Sequence, residues 1–428
     1  MIQDVKIRGF RCLRDVNVRL NPFTVLIGKN DSGKSAFLDA LYSLSRTAAG
    51  PLMGAKGTPF IGPWSLRNQA WVGLAKKEVE FAVDCDVPGI GKSVQYGVIL
   101  GCDDQGAHYS RKEHLVCDGK EEFKQEDDHS VAAGEGTLLT SKKILRSPGQ
   151  PGQATVLYEF RSRSRELPIA DRFARYLSGV KKFWLRPEEL KRECPFPSYE
   201  PDLSPIARFE RDGYGLPFVV EQLQKSDFKA KRYSRAMERI RDLFPMIHLI
   251  ESVSCQIRKL SYDEPGAARE IMVPGLRLMF QLSEKGASIP VPLISEGAIL
   301  VLGYLAIAAS VDGPAHLLIE EPETGIHIGA LEAVVKILQD LTKGELDAPP
   351  VQVVVTTHSP YLLDFVDPAD VRIFNRNKKG ETEVTPLNES PGFQKSGKDY
   401  LIGELWANEL EEGLLKQGTT SAQPKRSS

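Results

Sequence analysis

The sequence predicts an α/β fold with a mixed central sheet, an antiparallel β subdomain and a helical insertion. An apolar strand pattern at 23–27 runs through a glycine-rich loop into a helical pattern at 36–41. A second apolar strand pattern, at 316–319, ends in two adjacent acids. Both features are typical of parallel α/β structure, whereas the short β-like segments between about 78 and 160 predict the antiparallel part.

The glycine-rich loop follows the first strand directly. It consists of Gly28, Lys29, Asn30, Asp31, Ser32, Gly33, Lys34 and Ser35. Glycines let backbone N–H groups turn toward phosphates, and the N-terminus of the next helix adds its dipole. In such a loop the lysine, here Lys34, reaches the β- and γ-phosphates, and the Ser35 hydroxyl holds Mg²⁺. The sequence therefore predicts a site for ATP and Mg²⁺, and it contains no Asn-Lys-Xaa-Asp motif that would favour GTP.

The acidic strand delivers two carboxylates, Glu320 and Glu321, at its C-terminal end. Ligands bind at this end of the strands in parallel α/β sheets. One acid can hold the magnesium shell and the next can orient or deprotonate an attacking water. We assign Glu320 to the first role and Glu321 to the second. If the motif stood alone, a strand that merely ends in solvated acids would be the favoured interpretation, and the pairing with the loop at Lys34 reverses this preference.

Two further segments flank the acidic strand. Ser295-Glu296-Gly297 opens an apolar helical pattern that runs from Ala298 to about Ala309, and a Ser-Xaa-Gly turn at a helix N-terminus can bind an anion. Downstream, the buried strand pattern 351–355 leads to His358, which could hydrogen-bond a γ-phosphate or the attacking water. In isolation, His358 would be read as a structural histidine.

Changes in composition and periodicity along the sequence predict four regions. They are 1–165 with the loop and the β subdomain, 166–245 as the helical insertion, 246–415 with Ser295, Glu321 and His358, and 416–428 as a disordered tail. Within them, we expect a strand over 155–160, a flexible polar loop over 118–153, helices between Leu216 and Phe244, and strands over 246–290.

The composition is typical of a soluble intracellular enzyme. At 428 residues, 41% apolar and 26% charged, the chain can bury a large core in one complex domain or two. The formal net charge of −2 gives no global attraction for nucleic acid. The cysteines show no zinc spacing, and neither a signal peptide nor a transmembrane-length apolar run is found. We therefore expect a cytoplasmic protein with reduced thiols and no membrane association.

One basic cluster could bind phosphates independently of sequence. Arg232, Arg235 and Arg239 share a helix face, near Lys229, Lys231 and Arg241. A solvated helix face with intrahelical ion pairs is the alternative interpretation. A second, weaker candidate is the alternating set Arg161, Arg163 and Arg165.

Together, the motifs resemble the ABC-type ATPase heads of the RecF, structural-maintenance-of-chromosomes and OLD (overcoming lysogenization defect) group. The similarity spans roughly residues 1–410 and is carried by Ile7–Arg11, Gly28–Ser35, Asp212–Pro217, Ser295–Gly297, Leu317–Glu323, Thr356–Pro360 and Gly403–Trp406. It implies a P-loop NTPase of ABC-head type. The chain differs from many ABC proteins in having Glu320 where they have aspartate. Its signature segment around Ser295 is shorter than that of transporters, which argues against a transporter subunit.

The resemblance also implies roles for single residues. Two heads would enclose two ATP molecules, with Ser295 and Gly297 of one protomer closing over the γ-phosphate bound by the other. Glu321 would be the catalytic carboxylate and His358 the switch histidine, and Phe10 and Arg11 would lie near the nucleotide. Gln69 is a weak candidate for the glutamine loop, and we do not assign it that role.

The resemblance also bears on partners. OLD-family nucleases carry a TOPRIM domain after the ATPase head, and the residues after the segment around His358 lack its separated acidic motifs. We expect a homodimer or higher even-numbered oligomer that regulates a separate effector, a nuclease, as in the two-component antiphage systems Septu and PARIS. DNA is a further candidate partner. The alternatives are a RecF-like repair factor that clamps DNA and a nucleotide-gated scaffold or sensor with little turnover.

Overall fold

The structure is a computed structural model, and it divides the chain into two compact units. The first comprises Met1–Val180 and Val354–Ser428, and the second comprises Lys181–Val353. The residues described are 1–50, 52, 66–73, 77–102, 108–127, 130–133, 137–140, 155–160, 167–196, 209–225, 230–264, 267–311, 315–345, 349–397 and 400–415.

The strands and helices of these ranges are numbered in chain order. The strands are β1 (Ile2–Phe10), β2 (Leu13–Arg19), β3 (Phe23–Ile27), β4 (Glu78–Val87), β5 (Gly91–Cys102), β6 (His108–Cys117), β7 (Lys120–Asp127), β8 (Ser130–Ala133), β9 (Thr137–Thr140), β10 (Val180–Phe183), β11 (Cys194–Pro195), β12 (Leu249–Glu264), β13 (Ala267–Gln281), β14 (Ser288–Pro290), β15 (His316–Glu320), β16 (Gln352–Thr356), β17 (Val371–Arg376) and β18 (Thr382–Pro386). The helices are α1 (Lys34–Ala49), α2 (Leu66–Gln69), α3 (Val156–Phe160), α4 (Pro168–Leu177), α5 (Pro187–Leu190), α6 (Leu216–Lys225), α7 (Ala230–Leu243), α8 (Glu296–Ser310), α9 (Ile328–Lys343), α10 (Pro360–Leu363), α11 (Pro391–Ser396) and α12 (Ile402–Leu415). Short 3-10 turns lie at Val291–Leu293, Pro368–Asp370 and Leu387–Glu389.

The first unit contains an antiparallel sheet of eight strands in the order β2-β1-β4-β5-β6-β7-β8-β9. Alternate residues of β4 are buried, including Val79, Phe81 and Val83. This period of two places one face of a strand against the core. The prediction of an antiparallel β subdomain is confirmed.

The prediction of a flexible loop over 118–153 is wrong where the structure describes that segment. β7, β8 and β9 lie within it. Asp118 (φ 47°) and Gly119 (φ 81°) join β6 to β7 in the left-handed conformation that a two-residue hairpin turn requires. The Asp-Gly pair signals this turn in the sequence, but the charged composition of β7 conceals its pairing.

The predicted strand over 155–160 is also wrong, because Val156–Phe160 forms the helix α3. The buried Glu113 carboxylate of β6 accepts hydrogen bonds from the N–H groups of Val156 (2.7 Å) and Leu157 (2.8 Å). These bonds satisfy N–H groups that lack partners at a helix N-terminus. An acid 43 residues away in the chain supplies them, which a local apolar pattern cannot reveal.

A second, mixed sheet of the first unit carries the glycine-rich loop. β3 is buried throughout and pairs in parallel with β17, with Ile27 opposite Ile373. β17 pairs in turn with β18 in antiparallel orientation, with Ile373 opposite Thr385. The end of β16 lies on the other side of β3. The prediction of an α/β fold with a mixed sheet is thus confirmed.

The second unit holds the acidic strand and the predicted Ser-Glu-Gly helix. β15 lies beside β10, and β12 pairs with β13 in a long hairpin from Leu249 opposite Gln281 to Glu264 opposite Ala267. α8 is buried continuously from Ala298 to Ala309, as its uniformly apolar sequence predicts. α6 and α7 occupy the stretch whose periodicity predicts helices. None of the described helices is both long and apolar enough to cross a membrane.

Candidate functional site

Two glycines shape the loop between β3 and α1. Gly28 has a φ of 150° and Gly33 a φ of 110°, both in the region that favours glycine. A Cβ built on Gly28 would lie 2.1 Å from the Phe374 carbonyl oxygen, and one built on Gly33 would lie 2.4 Å from Thr382 Oγ1. Neither position has room for a side chain, so the packing and the backbone conformation both require glycine.

The polar side chains of the loop suit an anionic ligand. Lys34 is buried, and its ammonium donates to the carbonyl oxygens of Gly28 (2.7 Å) and Lys29 (2.9 Å). Ser32 Oγ is buried and has no hydrogen-bond partner among the described residues. Ser35 is exposed in the first turn of α1, where a helix favours negative charge. These groups fit the phosphates and Mg²⁺ of a nucleotide, with Lys34 and Ser32 facing phosphate oxygens and Ser35 holding the metal.

Three exposed residues complete the loop. They are Lys29, Asn30 and Asp31. Asp31 adopts a φ of 64°, which is uncommon outside glycine but tolerated by aspartate. Their backbone N–H groups belong to the predicted phosphate site, together with the groups of Ser32 and Lys34.

His358 belongs to the same unit as the loop. The Thr357 N–H donates to the Leu26 carbonyl oxygen of β3 (3.1 Å). His358 is the next residue in the chain, so it follows directly after a hydrogen bond to the strand that leads into the loop. The Ser359 N–H donates to Thr357 Oγ1 (2.9 Å), which fixes the turn after β16. His358 is exposed. The structure therefore places it in the same unit as the glycine-rich loop, and its role remains a prediction.

Arg11 is anchored to the helix that follows the loop. Its Nη1 donates to the Asp39 carboxylate of α1 at 2.5 Å, and its Nη2 donates to Gln69 Oε1 at 3.2 Å. The Arg11 N–H also donates to the Gln69 carbonyl oxygen, and its guanidinium lies 5.2 Å from the centre of the Phe10 ring. Asp39 is a partner that sequence reasoning missed, because no spacing links it to Arg11.

In the second unit, Glu320 forms an ion pair that no motif of the sequence predicts. Glu320 Oε1 lies 3.2 Å from the ammonium of Lys182, which is on the neighbouring strand β10 and only 4% exposed. The pair compensates the charge of a buried lysine, which would otherwise be costly. Lys182 is therefore part of the surroundings of the predicted magnesium acid.

Glu321 has a strained backbone. Its φ is 45°, in the left-handed region that glutamate rarely adopts. The Thr324 N–H donates to the Glu321 carbonyl oxygen (3.1 Å), which holds the turn after β15. Such strain often marks functional positions, because it persists only where the surroundings enforce it.

Ser295 and Gly297 occupy the start of α8. The Ser295 hydroxyl caps the helix by accepting from the Ala298 N–H (3.4 Å). Ser295 and Glu296 are exposed, and a Cβ built on Gly297 would meet nothing within 4 Å. This surface leaves space for an approaching group.

The basic helix α7 matches neither predicted interpretation in full, because two of its arginines contact neighbouring elements and do not form a phosphate patch or a solvated face. Arg232 is buried, and its Nη1 donates to the carbonyl oxygens of Ala309 (3.2 Å) and Val311 (2.7 Å) at the end of α8. Arg239 lies 2.5 Å from the buried Asp340 carboxylate of α9. Two of the three arginines predicted to bind phosphates thus hold neighbouring helices. Arg235 and Arg241 are exposed, whereas Lys229 and Arg161, Arg163 and Arg165 lie outside the described residues.

The mixed α/β fold and the glycine-lined loop define a P-loop protein suited to nucleotide phosphates. A family model described as "AAA domain, putative AbiEii toxin, Type IV TA system" matches residues 129–364, which is more than half of the 428 residues, and the chain belongs to this family. A model described as "AAA ATPase domain" matches residues 1–87. These families identify an ATPase. No curated protein matches the chain.

Solved structures of chromosome-maintenance heads are similar to the chain. One is an SmcHead bound to the C-winged helix domain of ScpA, with 14% identity and a TM-score of 0.47 over 90% of this chain and 97% of that one. Another is an SMC head domain from Thermotoga maritima, with 11% identity and a TM-score of 0.40 over 90% and 98%. A third is an Smc head with an extended coiled coil bound to the C-terminal domain of ScpA, derived from Pyrococcus furiosus, with 14% identity and a TM-score of 0.41 over 90% and 95%.

Proposed function

We propose that this protein is a Mg²⁺-dependent ABC-type ATPase that dimerises through shared nucleotide sites and regulates a separate effector, a nuclease, in DNA-related or antiphage defence. The observation that carries the proposal is the glycine-rich loop between β3 and α1, where two groups suited to phosphate lie at the start of a helix. They are the buried Lys34 ammonium and the buried Ser32 hydroxyl, which has no hydrogen-bond partner among the described residues. Membership of an AAA family supports the ATPase part of this proposal.

In this proposal Lys34 binds the β- and γ-phosphates. Its ammonium already donates to two loop carbonyl groups, at Gly28 and Lys29, so it exchanges at least one of them for a phosphate oxygen. Ser35 and Glu320 hold Mg²⁺, which neutralises phosphate charge when bound. Because phosphoryl transfer depends on positioning and charge stabilisation, these groups need little covalent chemistry of their own.

Glu321 and His358 act on the attacking water. The carboxylate of Glu321 orients the water and accepts its proton, and His358 hydrogen-bonds the γ-phosphate or that water. The strained φ of Glu321 supports a functional role at this position. The exposed position of His358 leaves its imidazole accessible to a nucleotide.

Assembly supplies the rest of the site. Ser295 and Gly297 of one protomer close over the γ-phosphate held by its partner, so that turnover depends on dimerisation. The open space at Gly297 and the exposure of Ser295 support this role. A two-fold dimer would use the same surface on both protomers and form two equivalent sites.

A separate effector fits the family. The family is described as a putative toxin of a toxin–antitoxin system, and such a system has two components. DNA remains a candidate partner, but the buried positions of Arg232 and the Arg239–Asp340 pair give it no added support.

The decisive experiment is the mass of Glu321→Gln protein by light scattering, with and without Mg-ATP. Loss of the catalytic carboxylate should preserve ATP binding and block hydrolysis, so ATP should produce a stable dimer. Lys34→Ala is the control, because it should bind no ATP and keep its mass. If Glu321→Gln binds ATP but stays monomeric, the shared-site model is refuted. A constant oligomer would favour a preassembled scaffold instead.

A further inference from the structure

Thr382 contacts the glycine-rich loop from the first residue of β18. Its side chain is buried, and its hydroxyl donates to the Ser32 carbonyl oxygen at 2.8 Å. The Thr382 N–H donates to the Cys12 carbonyl oxygen at 3.1 Å. Thr382 therefore joins two segments that are distant in sequence, the turn after β1 and the loop.

The bond to Ser32 fixes the direction of the next N–H group. In a planar trans peptide the C=O and N–H groups point to opposite sides. Because the Ser32 carbonyl points toward Thr382, the Gly33 N–H points away from β18. A donor held in this way is preorganised for an anion, since its orientation need not be fixed when the ligand binds.

The same contact accounts for glycine at position 33. Thr382 Oγ1 lies 2.4 Å from the position that a Gly33 Cβ would occupy, and Thr382 Cγ2 and Cys12 Sγ each lie 3.1 Å from it. Any larger residue would push the hydroxyl away from the Ser32 carbonyl. Gly33 and Thr382 therefore depend on each other sterically, although 349 positions separate them in the chain.

The strand that carries Thr382 is itself held firmly. Thr382 pairs with Arg376 of β17, and β17 pairs in parallel with β3, the strand that leads into the loop. Two backbone hydrogen bonds of Asn377 close the turn between β17 and β18. The Asn377 N–H donates to the Glu381 carbonyl oxygen (2.9 Å), and the Asn377 carbonyl oxygen accepts from the Gly380 N–H (2.9 Å). The Thr382 hydroxyl therefore lies on a strand that is held in place by the β17–β18 hairpin.

We propose that Thr382 is a positioning residue of the nucleotide site, which orients the Gly33 N–H toward the phosphates of a nucleoside di- or triphosphate. The inference rests on the proposed function, because it concerns the same loop. Thr382 does not itself touch the nucleotide. Its hydroxyl acts through the Ser32–Gly33 peptide group.

The test compares Thr382→Val, which removes the hydroxyl at constant shape, with Thr382→Ser, which keeps it. Dissociation constants for ATP and ADP are measured by calorimetry on the full chain, together with thermal unfolding of the nucleotide-free protein. We expect Thr382→Val to weaken both nucleotides about tenfold and Thr382→Ser to bind within about twofold of wild type. Rescue by serine assigns the effect to the hydroxyl.

Thr24→Val is the matched control. Thr24 is fully buried in the same unit, and its hydroxyl donates to the Asn21 carbonyl oxygen (3.2 Å) at the end of β3 that is remote from the loop. The Thr24→Val variant should lower thermal stability, as Thr382→Val does, but it should leave the nucleotide affinity unchanged. If the valine variant does not fold, Thr382→Ala replaces it in the comparison.

The outcomes separate the two proposals. If wild type and Thr24→Val bind no nucleotide, the proposed function is refuted and this inference with it. If both bind and Thr382→Val binds equally well, only the positioning role of Thr382 is refuted. Equal losses in Thr382→Val and Thr24→Val would show a general effect of stability and would also overturn that role.

Discussion

The ammonium of Lys182 lies 3.2 Å from Glu320 Oε1 and pairs with the acid that we assign to magnesium. The lysine is 4% exposed and the glutamate 16%, so water screens this pair poorly. The lysine holds the carboxylate in one orientation at the end of β15. Removing either partner leaves the other charge partly buried, which costs more than the pair itself contributes.

We therefore expect Lys182→Met to lower the free energy of unfolding by about 2–4 kcal/mol. Urea denaturation measures this change. Lys181→Met is the matched control, because Lys181 is the exposed neighbour on the same strand and its loss should cost far less. Lys182→Met combined with Glu320→Gln should recover part of the stability, because no unpaired charge remains. Equal stability of the two single lysine variants would contradict the buried pair.

Arg232 supports the end of α8 whose other end carries Ser295. Its guanidinium donates to the carbonyl oxygens of Ala309 and Val311, where the helix dipole favours a positive charge. Arg232→Met should therefore lower the free energy of unfolding by about 1–3 kcal/mol, because buried carbonyl groups lose their donors.

The exposed Arg235, one turn away on the same helix, provides the comparison for that experiment. Arg235→Met should change stability by less than about 0.5 kcal/mol. If the order of the two variants is reversed in urea denaturation, Arg232 has no structural role and the phosphate-binding interpretation of this helix regains support.

The sequence predicts the loop well because its signal is local. A buried strand, two glycines at fixed spacing and a helix start suffice to place Lys34 and Ser35, and the structure shows that Gly28 and Gly33 have no room for a side chain. The apolar pattern of α8 is equally local, and its predicted span agrees with the observed helix.

The residues that support the site could not be predicted in this way. Lys182, Arg232 and Thr382 each act on a group at least 77 positions away, and no spacing rule connects such residues. Glu113 could not be predicted either, because its carboxylate binds the N-terminus of the helix α3 from 43 positions away, where the local pattern predicts a strand. A single sequence reveals periodicity and short motifs, whereas these contacts exist only after the chain has folded.

Ser295 offers a test of assembly that is separate from nucleotide binding. Ser295→Arg places a long charged side chain on the exposed start of α8, where the proposed partner protomer approaches. The variant should bind ATP with unchanged affinity as a monomer but fail to dimerise, which sedimentation in the Glu321→Gln background measures. Ser295→Ala removes the cap, at a cost of about 1 kcal/mol of stability, and also the hydroxyl proposed to contact the γ-phosphate, but it adds no bulk or charge. It should therefore weaken dimerisation less than Ser295→Arg does. Dimerisation of the arginine variant would exclude this surface from the interface.

His316 should make the stability of the protein depend on pH. Burial lowers the pKa of its imidazole to about 4, and Nδ1 lies 3.0 Å from Gln352 Oε1. The folded protein therefore keeps this histidine neutral, whereas the unfolded chain takes up a proton below its ordinary pKa near 6.5. As pH falls from 6.5 toward 4, the unfolded state gains that proton alone, and the free energy of unfolding should decrease by about 3 kcal/mol from this group.

Urea denaturation of the wild type and of His316→Asn at several pH values checks this dependence. His316→Asn should lose stability at pH 7, because the packing changes, but its stability should decline less between pH 6.5 and 4 than that of wild type. A decline of the same steepness in wild type and His316→Asn would show that other groups carry the acid sensitivity.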